Sequence, residues 1–225
     1  MPGAPRSLSL APDEPFRLVG GHVAADLVNT VDWTAAGPAR DRLVDYARVV
    51  AWAVAAGAID GSTARRLRAA GERQPAVSRA AHERALWLRD VLRRLFGAVA
   101  DGGVHSTGGR RALDEFDELL HAALVPLHLA APGTRRADAD GSAAIWRWRG
   151  ADDRPEAVLW PVAWQAARLL ASPDASRLRV CAGVDCGWVY VDRSRNGLRR
   201  WCEMETCGTL EKSRRRADRA RGAGR

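Results

Sequence analysis

Four cysteines, Cys181, Cys186, Cys202 and Cys207, fall within 27 residues near one end of the chain, and there are no others. They form two Cys-x4-Cys pairs separated by fifteen residues. Thiolates are soft ligands, and each close pair can wrap one side of a tetrahedral ion. The pattern predicts one structural Zn2+ held by all four sulfurs. Two disulfides or four unrelated thiols are the alternatives, and the paired spacing favours the metal. Four thiolates leave no open position for water, which argues against a catalytic zinc.

For the pairs to meet, the insert must fold back. Trp188 to Val191 alternates like a strand, Asn196-Gly197 is a turn signal, and Leu198 to Trp201 is expected to return as the second strand. After Cys207, Thr209 is expected to cap a helix beginning at Leu210, with Glu211 in its first turn. The result is a treble-clef-like, four-cysteine zinc module, a β-hairpin plus a helix.

The formal net charge is +8, and it is unevenly placed. From Arg177 onward thirteen Lys+Arg face six Asp+Glu, which leaves 22 against 21 in the first 176 residues. A basic end implies a polyanionic partner for that end. Lys212, Arg215, Arg216 and Arg219 would share one helix face. Arg193, Arg195, Asn196, Arg199 and Arg200 cluster around the hairpin, completing a candidate nucleic-acid surface. A solvated, cation-rich helix end is the plain alternative. These residues do not distinguish DNA from RNA.

Upstream, residues 1–16 read as a flexible lead-in with four prolines, and residues 17–176 as a mainly α-helical domain with a small β-hairpin. Residues 177–225 hold the zinc module. Helical spacing is expected from about Val23, over Leu43, Ala47, Val50 and Val54, from a Ser62 or Thr63 cap to Ala70, and over Ala81, Ala85, Leu88, Leu92, Leu95 and Val99. DGGVHSTGGR reads as a loop, followed by a helix through Leu113, Phe116 and Leu120. Leu124 to Ala130 and Ala144 to Arg149 read as strands around PGTRRADADG, and Trp160-Pro161 opens a last helix.

Asp26, Asn29 and Thr30 interrupt an apolar stretch and, with Trp33, are candidates for a ligand pocket. An internal hydrogen-bond network is the plainer alternative. The five histidines have no metal spacing, and no phosphate loop or nucleophile elbow is present, so no catalytic residue is assigned. The N-terminal residues do not resemble a secretory leader and no apolar run reaches a membrane span, so a cytoplasmic protein is expected.

The pattern C-x4-C-G-x4-D-x-S-R-N-x3-R-W-C-x4-C-G before a basic helix resembles the CGNR-type zinc finger. ADLVNTVDW and LWPVAWQAARLLASPDASRLRVC resemble the ABATE domain that precedes that finger. The resemblance runs from about Phe16 to Arg221 and implies a stress-induced transcription regulator whose finger binds DNA. One departure stands out: Thr209 and Leu210 occupy the positions of the signature Asn and Arg. The expected function is DNA-binding transcription regulation, with the helical domain sensing a ligand or partner. A protein–protein adaptor, or an enzyme with its pocket in the helical domain, are the rivals. A homodimer is possible, but no heptad seam demands one.

Overall fold

The computed structural model describes residues 8–132 and 143–223. Residues 1–7 of the proline-rich lead-in, and all of the loop PGTRRADADG after Pro132, lie outside the described residues. The chain is mainly α-helical, with short β elements and a C-terminal cysteine cluster.

The body is built around one long helix. Helix α4 (Pro75–Ala100) contacts α1 (Val23–Val28), α2 (Tyr46–Ala55), α3 (Gly61–Arg73) and α5 (Thr107–Leu124). Pro75 sits at its first position, where a missing N–H costs nothing. Ala85, Leu88, Leu92, Leu95 and Phe96 are fully buried along it. Each large side chain contributes about 1.5–3 kcal/mol by leaving water. Gly102 and Gly103, both at positive φ, turn the chain out of the helix. Helix α6 (Trp160–Leu170) packs on α5 and α1, burying Val162, Ala166 and Leu169.

Several ends differ from expectation, for local reasons. Asp60, not Ser62 or Thr63, caps α3, accepting from the Thr63 N–H at 2.7 Å. Ser106 caps α5 by accepting from Gly109, so that helix begins inside the glycine-rich stretch. The first strand of the upstream hairpin starts later than expected. The strands β4 (Leu127–Ala130) and β5 (Ile145–Trp148) pair antiparallel, Leu129 opposite Trp146.

A sheet not expected from sequence joins β1 (Ser9–Leu10), β2 (Val31–Thr34) and β3 (Gly37–Asp41) in the order β1-β3-β2. Its register shifts between Val31 and Trp33. Beneath it, Arg89 of α4 makes a buried bidentate pair with Asp41 at 2.7 and 2.6 Å. Arg89 stands on the apolar face of α4, one turn from Ala85, and that misplaced charge was the available signal.

The core does not stop at residue 176. Strands β6 (Leu178–Val180) and β7 (Val189–Val191) pair antiparallel, and Leu178, Val189 and Val191 are buried in the same cluster as α1 to α6. Helix α7 (Thr209–Ala223) follows directly on the turn that carries the last cysteine, Cys207.

Candidate metal centre

The first knuckle grows out of β6 and β7. Beyond Val180 the chain loops outward, and the Cys181 N–H donates to Trp188 O at 2.8 Å, closing the loop. Cys186 N–H donates to Gly183 O. Gly183 fits closely here: a Cβ would lie 3.1 Å from Cys207 Sγ, so a larger residue would push on that ligand. The second pair comes from an irregular return segment and a π-type turn, Met204–Gly208. The return does not form the second strand expected over Leu198–Trp201. Instead β7 pairs with β6, and side chains hold the return. Buried Asp192 accepts from Ser194 and Arg199 N–H groups at 2.9 and 3.0 Å, and Ala182 N–H donates to Arg200 O. Burial pushes the Asp192 carboxyl up, but those bonds outweigh it and leave it below its usual value.

The four Sγ atoms lie within 4.8 Å of one another. Cys202 and Cys207 sulfurs are 3.6 Å apart, and Cys186 and Cys202 sulfurs 3.9 Å. A tetrahedron with Zn–S bonds of about 2.3 Å has S···S edges of ~3.8 Å, so the donors fit one zinc ion. Cys181 and Cys202 are buried, Cys186 and Cys207 half-buried. Without metal, hydrogen bonds from Cys186 and Cys202 pull Cys181 down to about 2, while the bond to Cys181 pushes Cys186 up to about 12 and Cys202 higher. One thiolate therefore forms first, and metal must displace the protons of the others.

The candidate pocket residues prove to join this centre to the body. Asn29 turns its side-chain amide to the outer edge of β7: its Nδ2 donates to Val189 O at 2.8 Å and its Oδ1 accepts from Val189 N–H at 2.9 Å. Val191 N–H donates to Gly20 O, whose own N–H donates to Asp26 Oδ1 at 2.8 Å. Burial raises Asp26 to about 6, against that hydrogen bond. Thr30 donates to Leu27 O and accepts from Arg89. Asp26, Asn29 and Thr30 line none of the cavities described. Trp33 does: with Trp188, Cys186, Cys207, Arg17 and Leu210 it borders a cavity of about 530 Å3 beside the metal centre. The contact is close, since a Cβ on Gly187 would meet Trp33 Cβ at 2.7 Å.

The candidate nucleic-acid residues divide into two groups. Arg199 donates to Trp201, Cys202 and Val19 carbonyls, and Arg193 donates to Gly21 O and pairs with Asp174. Both are drawn onto the protein. Arg195, Asn196 and Arg200 remain exposed around the turn, as do Lys212, Arg215, Arg216 and Arg219 on α7. Arg215 pairs with Glu211. Thr209 does not act as the expected cap. It is helical itself, and its hydroxyl donates to Met204 O at 3.0 Å. Leu210 is 71% exposed.

No helix among the described residues is long and apolar enough to cross a membrane. Comparison with curated proteins gives no match. Two family models match, one described as "Putative stress-induced transcription regulator" (ABATE) over residues 21–173, the other as the CGNR zinc finger over residues 177–220. The first alone spans more than half the chain, which therefore belongs to the ABATE family and carries a CGNR zinc finger after that domain.

Proposed function

We propose that this protein is a DNA-binding transcription regulator in which the zinc module and α7 take the duplex and the helical body senses a ligand or partner. One observation carries the reading. Helix α7 leaves the metal centre with every side chain from Lys212 to Arg219 exposed. Lys212, Arg214, Arg216 and Arg219 have no ion pair among the described residues. Arginines without a protein partner, on a helix anchored by metal, suit phosphate contacts. About five such contacts give a salt slope near −4.5.

The test is fluorescence anisotropy of a labelled duplex with zinc-loaded protein across a salt series. Arg216→Ala with Arg219→Ala is expected to weaken binding and flatten the slope by about 1.8. An unchanged slope removes α7 from the interface. A protein–protein adaptor is the second reading, favoured by Val184, Leu198 and Leu210, which are 63%, 76% and 71% exposed around the module. Folded, zinc-loaded protein that binds no duplex would leave that reading standing.

A further inference from the structure

The helical body contains a cavity of about 290 Å3 away from the metal centre. Helix α4 contributes Arg84 and Leu88, α5 contributes Leu119, the 3-10 turn Pro155–Leu159 contributes Glu156 and Leu159, and α6 contributes Trp160. The lining is apolar except for Arg84 and Glu156. Those two charges do not pair with each other. Glu156 is half-buried, and its Oε2 is buried with no donor among the described residues. Arg84 lies over the Trp87 ring at 5.4 Å and makes no ion pair among the described residues.

A buried acceptor without a donor is rare, because it has lost water and gained nothing in return. Turning the half-buried Glu156 carboxylate toward a donor in the cavity would correct it. The volume suits about ten heavy atoms, at the ~30 Å3 that one water occupies in the liquid. The occupant that matches these features carries a positive nitrogen for Glu156, a negative group for Arg84 and a short apolar chain for Leu88, Leu119 and Leu159. The larger cavity beside the metal offers no such vacancy: its Arg17 and Arg40 are already paired with Glu203 and Glu14.

We propose that this cavity binds a small zwitterion, an α-amino acid with an aliphatic side chain. The inference rests on the sensing role given above to the helical body, and names its ligand class. The position is suited to that role. The turn carrying Glu156 runs directly into α6, which leads through the turn Pro173–Arg177 into β6, and the residue after β6 is Cys181. A ligand that grips Glu156 therefore acts on the segment bearing the first metal ligand.

Isothermal titration of the full, zinc-loaded chain with L-leucine and L-methionine tests this. 3-Methylbutylamine and 4-methylpentanoate serve as probes carrying one charge each. At least one amino acid is expected to bind, with both single-charge probes weaker by about tenfold or more. Glu156→Gln, nearly identical in shape, is expected to lose about tenfold or more in affinity, and Arg84→Met likewise, with the far-UV spectrum unchanged. The proposal is overturned if neither amino acid binds folded protein, if the single-charge probes bind equally well, or if Glu156→Gln leaves affinity unchanged. Titration is done without DNA, so the two readings fail separately. Amino-acid binding without duplex binding keeps this site and removes the DNA reading, and duplex binding without amino-acid binding does the reverse.

Discussion

Replacing Asn29 by Ala tests how the metal module is attached. Among the described residues the outer edge of β7 has no neighbouring strand, and Asn29 stands in for one by meeting both backbone groups of Val189. Asn29 is 2% and Val189 1% exposed, so water cannot easily replace the amide. The substitution leaves one N–H and one C=O buried without partners. At about 1–3 kcal/mol for each, the expected loss is roughly 2–6 kcal/mol. That is a large part of the ~5–15 kcal/mol that stabilises a typical domain. Urea unfolding of the zinc-loaded protein measures the total, and hydrogen exchange at the Val189 amide shows where it falls. The variant should unfold at lower urea and lose protection at Val189 first. A loss below about 0.5 kcal/mol, within the usual range for surface changes, would refute the strand-substitute role.

Arg89→Met leaves Asp41 buried without its bidentate partner and is expected to cost about 3–5 kcal/mol in thermal or urea unfolding, with much of it recovered by adding Asp41→Asn. Chelating the zinc should release protection of amides beyond Arg200 while Val189 and Val191 stay protected, because the latter lie in the main core; exchange mass spectrometry reads both. Zinc affinity should fall as pH falls, since the bound thiols must give up protons, and competition with a metal-sensitive dye measures it. The folded state binds the Asp26 proton more tightly than the unfolded chain, so stability from this group is full below about pH 4 and lost as pH rises through about 6. Asp26→Asn, which keeps an acceptor for Gly20, should be more stable than the parent by ~1–3 kcal/mol at about pH 8 and equal to it at about pH 4, as melting at each pH would show.

The metal tetrad was legible because ligand spacing is a local property of the chain, and the α4 stripe because its period is long and regular. The sheet β1-β3-β2 was not. Its strands have two to five residues, and Gly37-Pro38 opens one of them, so no alternation accumulates. Its inner end is held from a distance: Arg89, 48 residues beyond Asp41, donates both to Asp41 at the end of β3 and to Thr30 just before β2. The return segment of the zinc module failed for a related reason. Asn196-Gly197 does turn, with Gly197 at φ 63°, but the Asp192 carboxylate takes the Arg199 N–H that a second strand would have offered to β7. Asp26 and Asn29 announced themselves as polar residues in an apolar run. Their partners, Gly20 and Val189, lie on other segments, so spacing alone could not separate a joint from a pocket.

The joint also bears on the charge of the metal site. Four thiolates around a divalent ion carry a net negative charge, which a half-buried site cannot leave unopposed. Arg93 of α4 supplies a nearby cation. Its guanidinium lies over the Trp33 ring at 4.7 Å and close to Gly187; burial lowers its pKa, and Asp90 and Cys186 offset only part of that. Trp33 in turn accepts the Gly187 N–H at its carbonyl, 2.8 Å away. Counter-charge, strand edge and close backbone contact thus all come from the helical body. A finger cut out alone would keep its four ligands but lose Asn29, Gly20 and Arg93 together. It should hold zinc less tightly than the same cysteines do in the whole chain.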